Sequence, residues 1–476
     1  MTYDKQHYLD TFRTDETSLR QLTAEGLKRG GDYCDLFFED STWHDLLLRD
    51  GQVASGGIHV DHGVGIRVLQ GEKTGFAYSE QTDPGAMRSA AQAASAISLQ
   101  RADAAGKPFR ALSDVRQVSD RYPFRQDWRE TEASRFVPLL ERLQALISAR
   151  DSRIVKVIAM LSSQVSDILQ YNSFGELTFE TRPLASLAVS VIFNQQGKTE
   201  NKSVSRSFRK GPEMLTENLL EEIATEAVRG IDERFAAKRP AGGQMPVVMG
   251  PGASGILLHE AMGHAFEADF NRKGQSIFSD RIGKLVCDPH ISIVDDGTLT
   301  GSRGAVNYDD EGVPGQRTCM VRDGVLTSYL HDRISARFYG VAPTGNGRRE
   351  SFRYPPIPRM RATYMESGPA DPAGIIAGVK KGIYVDEFSN GQVEIGEGDF
   401  TFFVKSGFLI ENGRLARPVK DINIIGNGPR ALADIVAVGN DLKIDDSAWT
   451  CGKGQSCPVS CGIPTVLVRQ LTVGGA

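Results

Sequence analysis

The sequence predicts an α+β fold in two parts. Residues 1–240 read as an N-terminal domain, an antiparallel sheet with packed helices. Residues 241–476 read as a β-rich C-terminal domain, barrel- or sandwich-like, that carries a buried, distorted helix. Three observations support this. In the first half, helical apolar repeats alternate with runs of period two, and helices on one face of an antiparallel sheet bury both patterns economically. Glycine supplies 50 of the 476 residues, above an average of roughly 7%. Many sit in Asp50-Gly51, Asp296-Gly297, Asp323-Gly324, Asn390-Gly391 and Asn412-Gly413, pairs that suit type I′ hairpin turns because both central residues take positive φ. Finally, Lys238-Arg239-Pro240-Ala241-Gly242-Gly243 has linker composition directly after a long helical pattern, which sets the boundary near residue 240.

Taken in order, a helix is expected over 17–28, with Leu19, Leu22 and Leu27 on one side. Short alternating strands follow between 33 and 78 (CDLFFED, TWHDLLLRD, VGIRVLQ, TGFAYSE), then an Ala-rich helix over 86–99. A polar, loop-like stretch runs to about residue 125. It precedes a helix over 130–149, where Phe136, Leu139, Leu140, Leu143 and Leu146 recur at helical spacing. Strands resume from 155 to 208, turning at Asn172-Ser173-Phe174-Gly175 and at 195–198, and an amphipathic helix spans 213–237. The second half shows helical patterns over 253–269, 372–380 and 429–438, the last with Pro429 at its first position, among mostly short strands.

Apolar residues at 40% and charged residues at 24% allow a sizeable core and exclude a disordered chain. Lys+Arg at 55 against Asp+Glu at 60 leaves a net charge of −5, so no global attraction for nucleic-acid phosphates or anionic lipid is expected. No apolar run approaches the roughly 18–20 residues of a bilayer span, and the opening MTYDKQHYLDTFRTDE lacks a secretory pattern. A cytoplasmic protein is expected. Arg348, Arg349, Arg353, Arg359 and Arg361 crowd one stretch and read as a solvated, salt-bridged loop. The sharper alternative is a cleft where Arg348 or Arg349 holds a substrate carboxylate. Six cysteines make no disulfide framework, although Cys451, Cys457 and Cys461 cluster.

The run MPVVMGPGASGILLHEAMGHAFEADF offers two motifs. Gly250-Pro-Gly252-Ala-Ser-Gly255 has the form of a dinucleotide-binding turn, but the polar stretch after Asp269 lacks the second parallel strand such a unit requires. A Gly-rich turn that starts a helix close to a strand is the simpler reading. His259-Glu260-Ala-Met-Gly263-His264 lies on an otherwise apolar helix, and such a helix is a buried one. Unpartnered, each buried polar group would cost about 2–7 kcal/mol, whereas a divalent metal on both imidazoles supplies the partner. Residues five apart diverge by about 140° on a regular α-helix. The helix must therefore widen to a π-turn or break, with Gly263 best placed to absorb the distortion. A catalytic zinc needs a third protein ligand. Candidates are His7, His44, His59, His62, His290, His331, the carboxylates and the three clustered cysteines, among which spacing alone does not choose.

HEAMGHAFEADFNRKGQSIFSDRIG, VDDGTLTGSRGAVNYDDEGVPGQRT, TGNGRRESFRYPPIPRMRATYM and TCGKGQS resemble the TldD branch of the TldD/PmbA family, most densely over 245–476. The resemblance implies a cytoplasmic zinc metalloprotease with His259, His264 and Cys451 as zinc ligands and Glu260 as general base. CGKGQS is one residue shorter than the family form, and Cys457 and Cys461 fall outside the pattern, as core or incidental thiols. The resemblance further implies a heterodimer with a PmbA/TldE-like homologous subunit, and peptides or unfolded proteins as substrates. The expected chemistry is hydrolysis by a metal-activated water, with no direct nucleic-acid or membrane partner. The rival reading is a non-enzymatic binding or modulator subunit with a structural zinc, in which four protein ligands would close the site.

Overall fold

The computed structural model describes residues 3–99, 118–394 and 396–474; the polar stretch expected to about 125 lies outside the described residues over 100–117. Tyr33–Arg49 (β1), Gln52–Gln70 (β2), Lys73–Ser79 (β3), Ile154–Asn172 (β4), Leu177–Gln195 (β5) and Lys198–Phe208 (β6) form one sheet, ordered β3-β2-β1-β4-β5-β6. Every pairing in it is antiparallel. The turns expected near 172–175 and 195–198 are where β4, β5 and β6 meet. The short strands expected between 33 and 78 are corrected: CDLFFED and TWHDLLLRD are one 17-residue strand. Ser41 between them, with Glu39 two residues before it, is not a turn but a buried, internally bonded strand centre. Ser41 donates to Glu39 Oε1 at 2.7 Å, and Phe352 N–H donates to Glu39 Oε2 at 2.9 Å.

Helices Lys5–Thr11 (α1), Glu16–Leu27 (α2) and Pro84–Ser95 (α3) cover one end of this sheet, where Leu19, Met87 and Ala91 pack on Leu36, Phe38 and Ile66. Val137–Ser148 (α4) and Glu217–Val228 (α5) cover the other, through Leu140, Leu143 and Ile223 on Leu161, Leu187 and Val189. The expected helix over 213–237 breaks at Gly230, which takes φ +74°, and resumes as Ile231–Ala236. The helix expected over 130–149 starts later, because two short 3-10 turns precede Val137.

In the second half, Gly243–Met249 (β7) pairs in parallel with Lys381–Val393 and antiparallel with Val466–Gly474. The latter strand pairs with Ile422–Asn427, which pairs with Asp399–Glu411, and that strand closes back on Lys381–Val393. The result is a closed five-stranded barrel. Its interior residues Val247, Ile383, Phe402, Ile424 and Val468 share one core with Leu257, Leu258, Ala261, Met262 and Phe266. The motif-bearing helix is therefore anchored in the barrel core. Asp50-Gly51, Asp323-Gly324 and Asn412-Gly413 all have positive φ at both residues, as type I′ turns require. Asn390-Gly391 instead lies inside a barrel strand, and Asp296 ends a strand with its carboxylate accepting from Thr298. The helix expected over 429–438 is Gly428–Ala433 followed by the strand Ile435–Val438.

The arginine-rich stretch is the largest correction. Arg348, Arg349, Arg359 and Arg361 are buried rather than solvated, and only Arg353 reaches solvent, pairing with Asp61 and Glu80. The stretch is clamped between the N-terminal sheet and the second half, where backbone carbonyls and carboxylates receive its donors. Other ion pairs cross the same junction: Arg67 with Glu311 at 2.7 Å, Arg333 with Glu176 at 2.8 Å, and Arg182 with Asp310.

Candidate metal centre

The glycines after β7 build the entry to the site. Gly250 N–H donates to Val385 O, Gly252 takes φ +88°, and a Cβ on Gly255 would fall 2.5 Å from Gly462 N. The turn lets a helix start against the strand Ser460–Ile463. The parallel neighbour of β7 begins at Lys381, far along the chain, so this is not a dinucleotide-binding unit.

Ile256–Leu258 is α-helical, His259–Gly263 is a π-turn and His264–Phe266 is 3-10. The His264 N–H donates to His259 O, five residues back, the widening that the histidine spacing demands. The two imidazoles converge, with ring centroids 5.1 Å apart. Gly263 has an ordinary helical φ of −56°, so it does not absorb the distortion as expected. It provides room instead, since a Cβ there would lie 2.0 Å from Met360 Sδ. Gly428, at the start of the neighbouring helix, is equally constrained: its Cβ would lie 2.3 Å from Ala261 O in the π-turn. Gly428→Ala is expected to push that helix off the turn, costing about 1–3 kcal/mol. A lowered Tm with weaker metal retention checks this.

The third donor comes from a hairpin. Thr450–Gly452 pairs antiparallel with Ser456–Pro458 around Gly454, at φ +66°, and sets Cys451 opposite Cys457. Arg359, fully buried, fixes this hairpin by donating to Cys451 O at 2.7 Å and Gln455 O at 2.8 Å. Cys451 Sγ then lies 3.2 Å from His264 Nε2. One ligand atom from each of His259, His264 and Cys451 falls within 4.8 Å of the others. Bonds of about 2.0–2.3 Å to one zinc place its donors roughly 3–4 Å apart, so this cluster fits an ion with small adjustment. The donor set also fits, with a thiolate and two imidazoles favouring zinc over hard cations. His259 Nδ1 is buried without a hydrogen-bond partner.

Glu267, which the sequence reading did not single out, organises the site. Its Oε2 accepts from His264 Nδ1 at 2.9 Å, which leaves Nε2 free to ligate. Lys453 Nζ at 2.9 Å from Oε2 and Arg359 Nε at 3.8 Å from Oε1 neutralise it. Burial would raise the Glu267 carboxyl, but Lys453, His264 and Arg359 together hold it down to about 2. Burial also disfavours charge on His264 and Cys451. The Glu267 carboxylate nonetheless lifts His264 to about 10, and the two imidazoles pull the Cys451 thiol down to about 4. The metal-free site therefore presents a thiolate at neutral pH. In metal-free protein, the Cys451 ultraviolet thiolate signal should vanish only as pH falls through about 4, against about 8.5 for a free thiol; Cys451→Ala should abolish that transition. Glu267→Gln should weaken metal affinity by about 10–100-fold, measured against a competing chelator.

Glu260 and His264 open onto a cleft of about 1260 Å³, also lined by Lys453, Asp399, Arg430 and the backbone of Gly391. Cys457 and Cys461 are buried outside the three-residue cluster. The other histidines named above are not brought to it.

Comparison with known proteins agrees with this geometry. Residues 242–475 match the C-terminal domain of the PmbA/TldA metallopeptidases, 34–98 match their domain 1 and 126–233 their central domain. These matches define the chain as a metallopeptidase. The chain belongs to the PmbA/TldD metallopeptidase family, as a homologue on its TldD side. It is 39% identical over 455 residues to the metalloprotease TldD homolog of Haemophilus influenzae, covering 94% of each chain. It is 33% identical to the zinc metalloprotease TldD homolog of Saccharolobus solfataricus over 67% of each. The solved structure of TldE from Thermococcus kodakarensis shares the fold, with a TM-score of 0.75 at 18% identity over 96% of this chain and 100% of that one. No helix among the described residues is long and apolar enough to cross a membrane.

Proposed function

We propose that this chain is a zinc-dependent peptide hydrolase acting on peptides or unfolded proteins, with His259, His264 and Cys451 as the metal ligands and Glu260 as general base. The observation that carries the proposal is the convergence of three buried donors beside a carboxylate that faces a large open cleft. Zinc bound there would lower the pKa of a water and polarise the scissile carbonyl. Glu260, next to the first ligand and on the cleft wall, takes the proton of the attacking water and returns it to the leaving amine. Glu267 fixes the His264 tautomer, and Lys453 and Arg359 hold Glu267 charged. The access of Glu260 and His264 to the cleft favours a catalytic over a closed structural site.

The strand Lys381–Val393 supports a sequence-tolerant substrate mode. It pairs with β7 only over Ile383–Val385, and beyond that point its other side, which borders the cleft near Gly391, has no strand partner among the described residues. An extended peptide added there would be read through its backbone. Residues 241–476 then form the metallopeptidase half and residues 1–240 the supporting half. Pairing with a homologous PmbA/TldE-like subunit is part of the proposal, supported by the shared fold of TldE. So is a reducing cytoplasmic setting, which suits six cysteines with no disulfide among the described residues. Cleavage of an unfolded fluorogenic polypeptide, assayed with zinc and with and without that homologue, tests it. Activity removed by a chelator and restored by zinc is expected, and chelator-resistant cleavage would contradict it.

A further inference from the structure

We propose that the cavity between the N-terminal sheet and the second half binds one small oxyanion, of the phosphate or carboxylate class, held by Arg209, Arg348 and Arg361. The cavity measures about 80 Å³, and its wall includes Gln164 and Ser166 of β4 on one side and Pro458 on the other. At roughly 30 Å³ of liquid volume per water, that is room for a phosphate, a sulfate or a single carboxylate, and too little for a nucleotide.

All three guanidiniums are buried, at 7%, 4% and 3% exposure, yet none has a carboxylate within ion-pair distance among the described residues. Arg209 donates to Arg303 O at 3.1 Å and Pro183 O at 3.3 Å. Arg348 donates to Met360 O and to Pro458 O, the latter at 2.7 Å. Arg361 donates from Nε to Gly345 O at 2.8 Å, and its Nη2 has no partner. Every acceptor is a neutral carbonyl.

Other buried arginines are paired, as with Arg67 on Glu311 and Arg333 on Glu176, whereas Arg303 is satisfied by the Trp449 carbonyl and the Ser186, Ser207 and Thr450 hydroxyls. The wall carboxylates Asp310 and Glu350, and the adjoining Asp309, are already engaged, Glu350 by the Ser456 N–H. Asp310 accepts from Arg182 and from the Arg349 N–H, and Asp309 from the backbone N–H groups of Glu311, Val313 and Gly347. Glu39, also in the wall, is pushed up by burial to about 7, which leaves it only partly ionised at neutral pH, and both its oxygens already accept from Ser41 and the Phe352 N–H. An uncompensated buried cation costs several kcal/mol, and three around one cavity also repel one another. Burial, with Arg348 adding repulsion, draws Arg361 down to about 9 even though Asp310 and Asp309 pull the other way. A bound oxyanion supplies the missing counter-charge. Because the cavity is walled by both halves, its occupancy ties the N-terminal sheet to the metal-bearing half and stabilises the fold by mass action.

The test uses full-length protein stripped of metal, so that binding at the histidine–cysteine cluster does not contribute, in a buffer without added inorganic anion. Tm and calorimetric titration are followed with inorganic phosphate and with a tetrapeptide carrying either a free or an amidated C-terminus. A saturable Tm rise with one site per chain is expected, weakened about ten- to hundredfold in Arg361→Met and Arg348→Met. A response to phosphate identifies a free ion as the source, and a response to the free-acid peptide alone identifies a chain terminus; either supports the site. A rise that does not saturate, or that is unchanged in both variants, overturns it. Should neither variant fold, a selenate soak of wild-type crystals decides. An anomalous peak among the three guanidiniums supports the site, and no peak there overturns it.

Discussion

Glu260→Gln is expected to retain its metal and lose peptidase activity by roughly 10²–10⁴-fold, the usual contribution of a general base. The substitution keeps the size of the side chain and its place on the cleft wall. It disturbs none of the donors of the cluster, since Glu260 holds no ligand in place. Glu267, not Glu260, accepts from His264 Nδ1. Metal content measured beside kcat separates this outcome from collapse of the site. Unchanged kcat would remove the role assigned to Glu260.

Cys451→Ala is expected to strip the ion and abolish activity with little change in fold. The hairpin does not depend on the thiol: Arg359 grips it through the carbonyls of Cys451 and Gln455, and strand pairing runs through the backbone. What is lost is the thiolate opposite His264 Nε2, leaving two imidazoles, one fewer than the three protein ligands usual for catalytic zinc. Cys457→Ser is the matched control. Its thiol faces Arg359 at 3.6 Å rather than the cluster, so metal and activity should survive. Zinc retained in Cys451→Ala, or lost in Cys457→Ser, would show that the third ligand is misplaced.

The widened helix at the candidate metal site was legible because five-residue spacing of two histidines that share an ion admits only a widened or broken helix, and the π-turn is one of those two outcomes. The α+β class was legible through periodicity. The length of β1 was not, because a polar stretch such as Glu39-Asp40-Ser41 resembles a turn until its hydrogen-bond partners on β4 and at Phe352 are known. Burial of the arginines was hidden for the same reason, since their acceptors are distant carbonyls with no sequence signal. Glu267 had a signal, standing three residues after His264 of the candidate cluster, at the spacing where helical side chains meet. The role of Lys453 depends on a hairpin that brings it from the far end of the chain.

The most direct measurement is X-ray absorption at the metal edge of the purified wild-type protein, taken with its metal stoichiometry. One zinc per chain with one sulfur, two imidazole nitrogens and one further light-atom ligand is predicted. A metal-free protein, a sphere without sulfur, or a sphere closed by four protein donors would contradict the account.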